Sequence, residues 1–228
     1  FGINWLKTIS SFYFENKSDM VICPVDMQGG RGFFHRFQEL EFLSLQGVTA
    51  GTAMAGEPVM CNGANLAFKK EIYRNHSDNL HEENVSGEDI FLLHSVKKVP
   101  GKKIMWLESA DATATTSTSE NISRFLRQRA RWLSKAGSYS DSYTQVLAIV
   151  TFVTISFQLS LLIAGFFEPV FLLIFLASLI IKSIPDFLIL KNTTLRYGKS
   201  GLMSWFLPSQ LFYPFYILMV VPIASFKG

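Results

Sequence analysis

Three long apolar stretches, at 146–167, 170–190 and 205–226, constrain this chain more than any other feature. Each has about the 20 helical residues needed to cross a bilayer core. A soluble protein that buried all three would need a far larger partner, so the sequence predicts a membrane-embedded part at 141–228 with about three helices. Glu168-Pro169 makes a short link between the first two, which predicts a helical hairpin. Gln158 lies in the first stretch, and Lys182, Pro185 and Asp186 in the second. Lys182 and Asp186 are four apart, which suits either a pair on one helical face or a place near the membrane surface. Pro208, Pro214 and Pro222 predict a kinked or broken third helix.

Residues 1–140 have an ordinary soluble composition, and strand and helix signals alternate along them, which predicts an α/β layered domain. Helices are expected near 5–14, 33–45, 71–76, 88–97 and 120–135. A buried strand is expected at 20–25, ended by Pro24, and a flexible glycine-rich segment at 47–56. A strand pair turning at Asn62-Gly63, a polar loop at 81–87, a strand after the basic turn at 97–103 and an exposed strand edge near 111–120 complete the reading. Ser117 and Glu120 have capping-box spacing.

The net charge of +3 comes with no basic stretch carrying aromatic stacking platforms, which argues against nucleic acid as a partner. Cys23 and Cys61 fit a reducing compartment and form no metal-ligand spacing, and His35, His76, His81 and His94 make no recognisable metal set. Arg124, Arg127, Arg129, Arg131 and Lys135 precede the first apolar stretch, and Lys191, Arg196 and Lys199 follow the second. The positive-inside rule then puts the soluble domain in the cytoplasm, at the surface of a multi-pass membrane protein.

Two constellations carry candidate chemistry. Ser86-Gly87-Glu88-Asp89 puts two carboxylates at a helix start, where acidic residues are favourable for ordinary electrostatic reasons. A sharper reading makes one of them a base in a cleft, able to take a proton from a hydroxyl. Gln128-Arg129-Ala130-Arg131-Trp132 suits an interfacial helix, with arginines on lipid head groups and Trp132 as anchor. It also suits a sugar with a charged leaving group, because Gln128, Arg131 and Trp132 share a side at helical spacing and Arg holds phosphate oxygens through two bonds.

The ordered set Cys61-Asn62-Gly63-Ala64-Asn65-Leu66-Ala67-Phe68, then Gly87-Glu88-Asp89, then the pentad, then apolar spans, resembles the membrane-bound family 2 inverting glycosyltransferases, the branch of cellulose, chitin and hyaluronan synthases. The resemblance implies sugar transfer from a nucleotide-diphosphate sugar to a glycan or lipid-linked acceptor, with membrane lipids as further partners. It implies Asp89 as the base on the acceptor hydroxyl, with Glu88 supporting it. Asn62, Gly63 and Asn65 would line the acceptor site, and Gln128, Arg129, Arg131 and Trp132 would bind substrate. In the family a nucleotide-binding half ends in an Asp-x-Asp motif that holds Mg or Mn, and a Trp-Leu pair like Trp5-Leu6 follows it. The opening FGINWLKTI thus predicts a carboxyl-terminal fragment: a partial GT-A-like domain that lacks the donor half and its metal ligands and is inactive alone. The competing expectation is a non-enzymatic membrane structural or transport subunit, suggested by Gln158, Lys182 and Asp186.

Overall fold

A computed structural model describes residues 1–76 and 87–225. The polar loop expected at 81–87 and His81 lie, apart from Gly87, outside the described residues.

Helix α1 (Trp5–Asn16) leads into strand β1 (Met20–Ile22). Pro24 interrupts the buried run as expected, but the chain resumes as β2 (Val25–Gln28) in a second sheet. Proline lacks the ladder N–H, so the break marks a change of sheet rather than the end of extended chain. Strand β1 is the centre of a three-stranded sheet, antiparallel to β3 (Leu66–Phe68) and parallel to β4 (Ile104–Trp106). Strand β2 pairs in parallel with β5 (Ala114–Ser117). The α/β layering expected from the sequence is present.

Helix α2 runs from Phe33 to Met54, well past the expected end near 45. The segment at 47–56 is therefore helical for most of its length. Its glycines serve packing rather than flexibility. A Cβ at Gly47 would meet Thr193 Oγ1 at 2.5 Å and Ile189 Cγ2 at 2.6 Å, so only glycine lets α2 cross α7 (Val170–Arg196) this closely. No strand forms at 58–61, which corrects the expected hairpin at Asn62-Gly63. Asn62 instead caps a single 3-10 turn, Gly63–Asn65, by accepting a hydrogen bond from the Ala64 N–H at 3.0 Å.

Helices α3 (Lys70–His76) and α4 (Glu88–Lys97) fall where expected. Helix α5 (Ile122–Leu133) starts later than expected, and its cap is Asn121, whose side chain accepts from the Ser123 N–H at 2.7 Å. That replaces the predicted Ser117–Glu120 box. The three apolar stretches become α6 (Ser142–Ala164), α7 and α8 (Phe206–Ser225), each part of a helix long and apolar enough to cross a membrane. Of the expected kink or break, the break does not occur: helix α8 is continuous through Pro214 and Pro222. Pro208 lies in its first turn, where no intrahelical N–H is required.

The core of the sheet domain joins Met20, Ile22, Phe91, Leu93, Val96 and Trp106. A separate apolar cluster welds α2 and α5 to α8 through Phe37, Phe125, Ala130, Tyr216, Val220 and Ala224.

Candidate active site

Asp89 stands in the first turn of α4, half-buried, beside an exposed Glu88. Gly87 precedes it with φ of +96°, a left-handed conformation that glycine adopts without penalty. The Asp89 carboxylate accepts a 2.7 Å hydrogen bond from the Gly63 N–H. A Cβ on Gly63 would sit 3.2 Å from Asp89 Oδ2 and 3.3 Å from Asp89 Cβ, tighter than ordinary contact, so glycine leaves the turn room for this approach. On the other side, the Cys61 thiol donates to the Asp89 carbonyl oxygen at 3.3 Å. The structure thus brings Asn62, Gly63 and Asp89 together.

Asn65 does different work. It is 1% exposed, and its amide nitrogen donates to the carbonyls of Pro24 and Ala112, both at 2.7 Å, while its oxygen accepts from Trp5 Nε1 at 3.1 Å. These bonds tie the turn to the junction of the two sheets, so its polar atoms serve the frame that holds Gly63.

The pentad lies on α5. Arg129 is 3% exposed, and its guanidinium grips Glu41 of α2 through Nε at 2.8 Å and Nη2 at 2.5 Å. Its Nη1 donates to the Gln128 carboxamide oxygen at 2.9 Å, and its Cζ lies 4.2 Å from the centre of the Trp132 ring. Burial opposes the charge and Glu41 more than restores it, so the guanidinium is held more firmly protonated than usual. Arg129 therefore locks Gln128 and Trp132 to each other and to α2. Trp132 packs on Val25, Met27, Phe42 and Ala114. Arg131 is exposed, and its side chain has no hydrogen-bond or ion-pair partner among the described residues.

The two constellations adjoin at their ends: a Cβ on Gly87 would lie 3.5 Å from Cγ of Lys135, just past the end of α5. Tyr139 comes next, with its ring 5.9 Å from Phe91. Burial, together with the charges of Asp89 and Cys61, pushes its hydroxyl up to about 12. Burial and Asp89 raise the Cys61 thiol too. The motif reading missed Tyr139, Lys135 and Glu41. Only Glu41 had a signal, a carboxylate set into the apolar side of α2.

The resemblance implies a divalent metal, and the described residues hold no group of three or more His, Cys, Asp or Glu able to bind one. Asp19 is taken by Lys69 and Lys102, and Asp26 by Lys199. The described residues thus offer no site that fits the ion.

Helix α4 also reaches the membrane region. Lys97 at its end pairs with Asp141, the N-cap of α6, at 2.8 Å, and His94 Nε2 lies 3.2 Å from Thr144 Oγ1. Farther along, Lys182, Asp186 and Gln210 close a ring: Lys182 to Asp186 at 2.6 Å, Lys182 to Gln210 at 2.9 Å, and Gln210 to Asp186 at 3.0 Å. Lys182, Asp186 and Gln210 are thus spent on one another. Gln158 is buried within α6.

The sequence model of the family described as "Glycosyl transferase family group 2" matches residues 4–226. No curated protein matches the chain. The chain belongs to that family and is a glycosyl transferase with membrane helices. The match overturns one expectation. It covers nearly the whole chain, so the reading of a partial domain, a fragment lacking its nucleotide-binding half, is corrected, and the inactivity inferred from that missing half loses its support. The non-enzymatic alternative is set aside on the same ground.

Proposed function

With family group 2 membership as premise, we propose that this glycosyl transferase moves a sugar from a nucleotide-diphosphate sugar to a hydroxyl of a glycan or lipid-linked acceptor, with inversion and Asp89 as base. The observation that carries the reading is the Gly63–Asp89 contact. A backbone N–H holds Oδ2, and the half-exposed carboxylate forms no ion pair with any of the described residues. A base that is fixed in place yet uncommitted to an ion pair suits proton abstraction. The acceptor oxygen loses its proton to Asp89 and bonds to the anomeric carbon. The bond from that carbon to the diphosphate breaks, and the electron pair leaves with the diphosphate. Glu88 supports the site from the adjacent, exposed position.

Arg131, a cation with no side-chain partner among the described residues, suits the departing phosphate oxygens. Gln128 has its oxygen occupied by Arg129, which leaves its amide nitrogen to donate to a sugar hydroxyl. Trp132, held by Arg129, offers ring surface to the acceptor end, and Asn62 and Gly63 shape the other wall. Asn65 would contribute through the turn it anchors. The membrane sidedness follows from charge. Arg124, Arg127 and Lys135 precede the α6–α7 hairpin and Lys191, Arg196 and Lys199 follow it, so the soluble domain faces the cytoplasm.

The test is release of nucleoside diphosphate from a panel of nucleotide sugars by the chain in membranes, with and without Mn or Mg. Asp89→Asn is expected to lower kcat by about 10²–10⁴-fold, the usual scale of general-base catalysis. Near wild-type turnover by folded Asp89→Asn sinks the assignment.

A further inference from the structure

A cavity of about 590 Å³ lies where α2 and α8 meet the α6–α7 hairpin. That is the size of a small-molecule site. Asn62, Gly63, Asp89 and Trp132 are not in its walls, so it is separate from the candidate active site. Along α7 it extends from Ser178 to Leu190, about 18 Å. Val150 and Ile181 belong to its walls and are 56% and 68% exposed on the apolar hairpin. The mouth therefore opens sideways, onto the surface that a bilayer covers.

The polar atoms around this cavity lack what a closed core would give them. Ser209 lines it, is 7% exposed, and its hydroxyl has no hydrogen-bond partner among the described residues. Gln158 lies one turn along α6 from Thr154, on the same face. It is 1% exposed, and its amide nitrogen is unpartnered in the same way. Buried polar groups are nearly always paired, so the two mark a place for something else.

The remaining groups say what that something is. The hydroxyls of Ser44, Thr151 and Ser178 donate to carbonyls of their own helices at 2.7–2.8 Å, which leaves their oxygens able only to accept. Asp186 takes both Lys182 and Gln210 on Oδ2, and Oδ1 stays open to a donor. The charges cancel, Lys182 against Asp186 and Glu41 against Arg129. The cavity thus suits a hydroxyl donor with no net charge. A phosphate carries acceptors and negative charge, and Lys182, the cation in the lining, is already matched. A glycan has hydroxyls on every side and would press most of them on Phe37, Leu40, Ile155 and Ile181.

We propose that this cavity holds an uncharged, hydroxyl-bearing membrane lipid of the diacylglycerol type. Its hydroxyl lies at Asp186 and Ser209, and its acyl chains leave past Val150 and Ile181 into the bilayer. Glu41, whose carboxylate fixes Arg129, forms part of the wall, so the lipid packs behind the pentad without touching the reacting groups.

A diacylglycerol with a photoreactive diazirine in one acyl chain, carried in phosphatidylcholine vesicles with the protein, tests this. Illumination is expected to leave adducts at 150–155 and 178–190 that excess dioleoylglycerol suppresses. Dioleoylphosphatidic acid and a soluble gluco-oligosaccharide are expected to leave them unchanged. Ser178→Phe, which fills the cavity, is expected to lose these adducts while those at Ile163, exposed elsewhere on α6, persist. Ser209→Ala removes a hydroxyl that has no bond within the protein, so it is expected to fold normally and to need about fivefold more dioleoylglycerol for the same suppression. Adducts spread evenly over the exposed faces, Ile163 included, and insensitive to dioleoylglycerol overturn the proposal. Equal suppression by phosphatidic acid or by the oligosaccharide overturns it as well.

Discussion

Asp89 and Arg129 are both charged members of the motifs, and the protein treats them in opposite ways. Arg129 is almost fully buried, with bonds to Glu41 and Gln128 and a face on Trp132. Asp89 is half-open, held by one backbone N–H across a turn and by the N–H of its own helix. A buried charge must be saturated with partners to be tolerated, and saturation leaves it nothing for a substrate. An open charge keeps its chemistry but has to be aimed by something else. The lesson is a division of labour inside the motifs: Arg129 and Asn65 build the frame, while Asp89 and Arg131 remain available.

The largest test of that division is Glu41→Gln. It leaves Arg129 buried without its counter-charge, and breaking a buried pair from one side costs about 3–5 kcal/mol. Thermal unfolding in detergent should register the loss, whereas Asp89→Asn should leave the unfolding temperature near wild type. If Glu41→Gln unfolds normally and Asp89→Asn does not, the contrast is inverted.

A smaller effect is expected at Gly63→Ala. The new methyl group would press on Asp89 at 3.2–3.3 Å, and the carboxylate would have to shift by a few tenths of an ångström. Misplacement of a reacting group is costly to rate and cheap in stability, so kcat should fall roughly tenfold with little change in unfolding. Equal losses in both would make the turn part of the frame.

The smallest effect concerns pH. Asp141 is partly buried, which raises its carboxyl, but Lys97 and the Thr144 N–H and hydroxyl outweigh burial and hold it below the ordinary 3.8. A carboxyl depressed in the folded state stabilises it fully above the unfolded value and loses that contribution as pH falls through the folded one. Thermal stability should therefore decline below about pH 4 less steeply in Asp141→Asn than in wild type. Parallel pH curves would remove Asp141 from the set of working charges.

The sequence displays local signals well and distant partners poorly. Helix α4 was legible to the residue, because Gly87, the acidic first turn and Leu92 and Leu93 lie within one short window. The length of α2 was not, because Gly47 reads as a breaker until Thr193, far along the chain, is seen against it. The pentad announced itself, but nothing near Arg129 said that its guanidinium faces Glu41 rather than a ligand. Asn62 and Asn65 look alike in sequence, yet one caps a turn and the other joins two sheets. The acidic pair was visible, and its distance to Gly63 was not, because that distance depends on how β1 and β3 pair.

Helix α4 has its two ends fastened to different things. Its first turn carries Asp89 against Gly63, and its last carries Lys97 against the head of the membrane hairpin. In mechanical terms it is a strut about 15 Å long between the lipid-anchored part and the proposed base, Asp89. A tilt of α6 loads the strut through the Lys97–Asp141 latch. Bilayer thickness, which sets that tilt, is thereby an input to the position of the Asp89 carboxylate.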